Sequence, residues 1–132
     1  NSSKKINTSD AITSAAYTIS QNAGAKAIIT FSVSGRTTSS MSKERAPVQI
    51  IGISPNINTA RKLQIMWGVH SCHNQDAHDT KEMVSIACSV AKDKKIAMPG
   101  DPVIITAGVP FGHAGSTNLL RIAEIIADKD LT

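Results

Sequence analysis

Aromatic residues are nearly absent from this chain: Tyr17, Phe31, Trp67 and Phe111 account for 3% of its 132 residues. So few rings leave nothing on which successive bases could stack, which argues against a single-stranded nucleic-acid platform. The core must then be built from Ile, Val, Ala, Leu and Met. Cysteine is also scarce. Cys72 and Cys88 lie far apart, form no CxxC pair, and read as free thiols of a reducing compartment. No apolar run is long enough to span a bilayer and no signal peptide is visible. A cytoplasmic protein without a membrane partner or a nucleic-acid partner is expected. Charge of one sign is not concentrated either. The net charge of +4 is scattered, with Lys4–Lys5 and Lys92, Lys94, Lys95 as small clusters. This supports at most a weak preference for small anions.

What is present is a globular composition, 41% hydrophobic and 18% charged, of a length that suits one domain with one core. A chain that opens at Asn1 rather than Met is expected to be part of something longer. Residues 1–9 read as a polar, loose segment, 10–126 as the domain, and 127–132 as a tail. Asp10, Ser9 or Thr8 caps a first helix whose apolar face is Ile12, Ala15, Ala16, Ile19 and Ala23, and Gly24 ends it. Residues 26–31 form a strand. A hydroxyl-rich segment of poor helix propensity follows and ends before Pro47. Residues 48–53 form a second strand. After the turn at 54–56, a helix over 56–66 turns Ala60 and Leu63 inward. A short third strand is expected at 67–69 and a polar loop at 70–79.

Asp79 with Glu82 makes an acidic capping box. The helix it opens carries the stripe Met83, Ile86, Ala87, Val90, Ala91, and lysines crowd its last turns, where the helix dipole favours them. Residues 103–107 form a fourth strand and 108–117 a small-residue loop. Residues 119–126 suit a helix or a strand equally by periodicity. Continuous apolar strands alternating with amphipathic helices imply an α/β fold with a mostly parallel sheet covered on both faces. Ligands of such folds gather at the carboxyl ends of the strands.

The stretch AIITFSVSGRTTSS, residues 27–40, carries the clearest chemistry. A buried strand, a turn through Ser32, Ser34 and Gly35, and a helix start at Arg36 and Thr37 bring backbone N–H groups, hydroxyls and a guanidinium to one point. That combination suits holding a phosphate, although a plain strand-to-helix loop with capping hydroxyls has the same spacing. Neither the GxxxxGK[ST] nor the GxGxxG phosphate motif is present. The run His70, Cys72, His73, Asp76, His78, Asp79 holds metal donors, but its spacing fits no structural zinc motif and reads better as a polar connection. Ser34 or Ser116 with His113 makes a triad only on paper, because no GxSxG elbow exists.

Taken together, AKAIITFSVSGRT, KERAPVQIIGISPN, TARKLQIMWGV and PGDPVIITAGVPFGHAGSTN closely resemble, in order and spacing, the C-terminal domain of pyruvate kinase, over residues 10–126. The resemblance implies a three-layer α/β/α sandwich with a five-stranded sheet whose last strand is antiparallel, which would make 119–126 a strand. It implies a parent enzyme of glycolysis, a transferase passing phosphate from phosphoenolpyruvate to ADP with Mg2+ and K+. The family's catalytic sites lie on a separate barrel domain, so no cofactor and no kinase activity are expected of this chain alone. It implies allosteric regulation by a phosphorylated effector, a sugar phosphate or AMP, and assembly into a homotetramer with the barrel as neighbour.

The effector phosphate falls, by this resemblance, on Ser32, Ser34, Gly35, Arg36 and Thr37. Gly108, Gly112, His113 and Gly115 belong to the loop that closes over it. Val33 replaces a basic or polar residue common in members that bind fructose 1,6-bisphosphate. The tryptophan and arginine of some such members find no match over residues 73–95. A monophosphate therefore fits at least as well. A subunit-contact domain without effector, or a stand-alone metal protein, are the rival readings.

Overall fold

The computed structural model describes residues 8–44, 47–75, 77–108 and 118–126. Its elements run α1 (Thr8–Ala23), β1 (Ala27–Phe31), α2 (Arg36–Glu44), β2 (Gln49–Ser54), α3 (Ile57–Leu63), β3 (Val69–His73), α4 (Thr80–Asp93), β4 (Pro102–Ala107) and β5 (Leu119–Glu124). The strands form one sheet in the order β3-β2-β1-β4-β5. β1 pairs in parallel with both β2 and β4, β2 in parallel with β3, and β4 antiparallel with β5. This is the α/β arrangement expected, and the pairing settles 119–126 as a strand through residue 124.

Strand alternation divides the core. Ile28, Ile50 and Ile104 point to one face, where Ala16 of α1 and Met41 of α2 cover them. Leu63 of α3 packs on the same face, over Gly52. Ala27, Ile29, Phe31, Ile51, Ile53, Val103 and Ile105 point to the other, against Met83, Ala87, Cys88, Val90 and Ala91 of α4. The strands are therefore apolar on both sides, as central parallel strands must be. Each isoleucine withdrawn from water contributes about 1.5–3 kcal/mol.

Several boundaries differ from the sequence reading, each for a local reason. α1 begins at Thr8, before the Asp10 cap position. Gly24 ends it as expected, with φ of +65°. α2 forms despite its hydroxyls because they are used: Thr38 Oγ1 meets Thr30 Oγ1 at 2.7 Å and Ser42 donates to the Trp67 carbonyl at 2.6 Å. The Tyr17 hydroxyl donates to the Met41 carbonyl and ties α1 to α2. α3 stops at Leu63, shorter than the helix expected over 56–66. The third strand is displaced. Trp67 and Gly68 form a turn, and β3 takes residues 69–73, so His70, Cys72 and His73 lie on a sheet edge instead of in a loop. Asp79 caps α4, accepting from Glu82 N–H at 2.8 Å. Glu82 reaches one residue further back than a capping box requires, accepting from His78 N–H at 3.1 Å.

Gly52 marks the tightest contact between the sheet and its helices. A Cβ there would lie 2.8 Å from Leu63 Cδ1 and 3.0 Å from Thr38 Cγ2. Leu63 can swing aside, but Thr38 is β-branched, pinned by Thr30, and cannot. Gly52→Val is expected to destabilise the domain by about 2 kcal/mol through overpacking, read as a lower midpoint in urea unfolding with an unchanged slope.

Candidate functional site

The sheet order places one reversal in the chain. From β1 the chain winds outward to β2 and β3, then α4 carries it back across to β4 on the other side of β1. The connections leaving β1 and β4 therefore separate at their carboxyl ends and open a crevice, where ligands of doubly wound sheets bind. The segment 32–35 leaves β1 at this point, and Gly108 leaves β4 beside it. α2, α3 and α4 each follow a parallel strand, so their N-termini also face this edge.

The 32–35 turn is fixed by its own hydroxyls. Ser32 N–H extends the ladder by donating to the Ile53 carbonyl at 3.0 Å. Ser32 Oγ accepts from Gly35 N–H at 2.7 Å, and Ser34 Oγ accepts from Arg36 N–H at 3.3 Å. Gly35 adopts φ of +82°, a left-handed conformation that costs an L-residue about 1–2 kcal/mol. A Cβ on it would meet Thr59 Cγ2 at 3.1 Å and Leu63 Cδ2 at 3.3 Å, so the turn lies tight against α3. From there, Thr59 Oγ1 donates to the Val33 carbonyl at 2.8 Å, and Ser54 Oγ reaches the same oxygen at 3.4 Å. Asn56 orients α3 for this contact by capping it, accepting from Asn58 and Thr59 N–H at 2.9 and 3.1 Å.

The five residues expected at the loop thus have different places. Ser34 and Arg36 are exposed at the crevice. Ser32 is half-buried and its Oγ already accepts one hydrogen bond. Gly35 is buried and sets the turn. Thr37 is buried in the first turn of α2. Of the second loop, Gly108 is half-buried beside the crevice, and Gly112, His113 and Gly115 lie outside the described residues. Thr59 and Ser54 hold the loop from 26 and 21 residues away. Their sequence context marks only a helix start and a turn, with no sign of that contact.

The metal-donor run does not converge. His70 Nε2 meets Gln49 Oε1 at 2.6 Å, His73 Nε2 the Pro55 carbonyl at 3.1 Å, and His78 Nδ1 Glu82 Oε1 at 3.0 Å; Asp76 is outside the described residues. Among the described residues no three His, Cys, Asp or Glu side chains are grouped to hold an ion. Both cysteines are free. Burial pushes the Cys88 thiol up, and the nearby Lys92 and Arg121 only partly offset this, so Cys88 is not an activated nucleophile.

Thr106, in register with Thr30 across the β1–β4 pair, is fully buried, and its Oγ1 has no hydrogen-bond partner among the described residues. A buried hydroxyl left unpaired costs about 1–3 kcal/mol. Thr106→Val, similar in volume without the hydroxyl, is expected to raise stability by about 1 kcal/mol, measured as a higher urea midpoint.

Comparison with known proteins agrees with this geometry. The family described as pyruvate kinase, alpha/beta domain, matches residues 10–123. The chain is 39% identical over 117 residues to a pyruvate kinase of Methylorubrum extorquens, covering 89% of this chain and 24% of that protein. It is 35% identical over 122 residues to a pyruvate kinase of Clostridium acetobutylicum, covering 92% of this chain and 26% of that protein. The solved structure of Cryptosporidium parvum pyruvate kinase in complex with ADP superposes with a TM-score of 0.82 at 30% identity, over 92% of this chain and 24% of that one. The chain thus spans about a quarter of the length of these relatives. By its sequence, its strand order and its antiparallel last strand, it belongs to the family of pyruvate kinase C-terminal alpha/beta domains.

Proposed function

We propose that residues 32–37 hold the phosphate of a small effector, and that this chain is the regulatory and subunit-contact domain of a pyruvate kinase. The position of the loop carries the reading. It occupies the carboxyl edge where the chain reverses, at the start of a nine-residue helix, with Ser34 and Arg36 exposed. An anion there meets the positive end of α2, and the guanidinium supplies charge-assisted hydrogen bonds. Val33 contributes its carbonyl to Thr59 and offers no side-chain donor. A monophosphate, a sugar phosphate or AMP, therefore fits at least as well as a bisphosphate.

Regulation follows if the effector binds one arrangement of the enzyme better than another and shifts the population toward it. Phosphoryl transfer from phosphoenolpyruvate to ADP belongs, in this reading, to a catalytic barrel elsewhere in the parent enzyme. The Mg2+ and K+ that family membership implies are assigned, in the same reading, to that barrel.

Subunit contact is supported by β5. It is an edge strand, and Ile122 and Ile126 are 52% and 41% exposed. An unpaired apolar edge is a template for pairing with another chain, and a twofold axis beside β5 would join two sheets in a homotetramer.

Two measurements test the proposal. Melting temperature is expected to rise selectively with ribose 5-phosphate, glucose 6-phosphate or AMP over inorganic phosphate. Arg36→Ala should weaken that ligand by about tenfold or more in calorimetry while leaving the free domain's melting temperature unchanged. No rise with any compound leaves a purely structural domain, and unchanged affinity in the variant removes the loop assignment. For the edge, Ile122→Asp is expected to lower the oligomeric state in sedimentation velocity; an unchanged state would place the contact elsewhere.

A further inference from the structure

Thr106 Oγ1 is buried and makes no hydrogen bond among the described residues, yet a suitable partner lies beside it, engaged elsewhere. Strand alternation places Gly52 of β2, Thr30 of β1 and Thr106 of β4 in one row. Each stands two residues beyond Ile50, Ile28 and Ile104, on the face covered by α1 and α2. Thr30 and Thr106 are register partners on adjacent parallel strands, which lie about 4.7–4.9 Å apart. Their hydroxyls can bond across that gap if Thr30 turns its Oγ1 toward β4. It is turned the other way, toward β2, where it meets Thr38 Oγ1 at 2.7 Å and reaches the Ile51 carbonyl at 3.4 Å. Side-chain torsions are staggered, so turning Oγ1 to Thr106 takes it away from Thr38. All three threonines are fully buried, with no solvent to satisfy the one left over.

The choice of partner bears on the crevice. Gly35 N–H donates to Ser32 Oγ at 2.7 Å, and Arg36 N–H to Ser34 Oγ at 3.3 Å. The N–H groups that an anion would take are thus already satisfied by the turn's own hydroxyls. Accepting an anion there requires the turn and the start of α2 to shift. Thr38 lies in the first turn of α2, and Thr30 holds it to the sheet.

We propose that Thr30 is a two-position latch. Its hydroxyl holds Thr38 when the turn is closed, and Thr106 in a second arrangement, in which α2 is released and the phosphate is bound. The released Thr38 hydroxyl can turn back to the Ser34 carbonyl, four residues earlier, so the exchange leaves none of the three unpaired. The unpaired Thr106 is therefore a cost of the closed arrangement alone, which keeps the second within reach. An effector that binds the second better shifts the population toward it. Thr30 and Thr106 act through Thr38 and are positioning residues. The inference rests on the reading that residues 32–37 hold a phosphate, and it assigns that site its regulation.

Urea midpoints of the chain, Thr38→Val, Thr106→Val and the double variant test the latch without ligand. Thr106→Val is expected to raise the midpoint of the wild type, where it removes an unpaired hydroxyl. It is expected to lower the midpoint of Thr38→Val, where Thr30 has turned to Thr106 and the substitution breaks that pair. The same sign in both backgrounds would overturn the latch. Calorimetry with ribose 5-phosphate tests the link to the site. Kd is expected to fall about fivefold or more in Thr38→Val, to rise by about as much in Thr106→Val, and to stay within about twofold in Thr106→Ser, which keeps the hydroxyl. Weaker binding in both valine variants, or a change in neither, would overturn the link. Should ribose 5-phosphate bind neither the wild type nor Thr38→Val, the effector reading fails for that ligand, and the urea comparison still decides the latch.

Discussion

Everything at the candidate site depends on β1 being paired in parallel on both sides. Its five residues, Ala27–Phe31, are buried without exception, which only a central strand with both faces covered allows. Because β2 and β4 flank it and the chain winds away in opposite senses, the connection after Phe31 must leave at the sheet's one reversal. The apolar run AIITF thus decides where a polar loop is displayed.

The loop itself is held by bonds that it could not make alone. Ser32 and Ser34 close the turn internally, but its height over the sheet is set by Thr59 and Ser54 on the Val33 carbonyl and by the contact of Gly35 with α3. Packing and polar satisfaction therefore work together. α3 is placed by Leu63 over Gly52, and Thr59 of the same helix then anchors the loop. A seven-residue helix of marginal intrinsic stability serves as the strut between the core and the crevice. The pairing of Thr30 with Thr38 does the same for α2, fixing the start of that helix beside the turn.

The sheet was legible in the sequence because buried parallel strands are short β-branched runs, and β1, β2 and β4 are of that kind. The stripe of α4 and the Asp79 cap were legible for the same local reason. β3 was not. VHSCH has only exposed and half-buried positions at an edge, carries no continuous apolar signal, and is a strand because β2 pairs with it. Periodicity alone could not assign 119–126, where pairing with β4 decides, and the family resemblance supplied the answer. The loop after β1 could be found from its hydroxyls, glycine and arginine. The separate roles of those residues could not, since burial of Gly35 and Thr37 and exposure of Ser34 and Arg36 follow from how α3 lies against the turn. Thr59 acts across 26 residues of sequence, and no local pattern encodes such a contact.

The most direct measurement is a two-dimensional 1H–15N spectrum of the labelled domain, titrated with ribose 5-phosphate and, separately, with AMP. The account predicts that with at least one of them the largest saturable shifts fall on the amides of residues 34–37, with smaller ones at Gly108. Shifts confined to residues along α4 and β5, or no saturable shift anywhere in a folded domain, would contradict it.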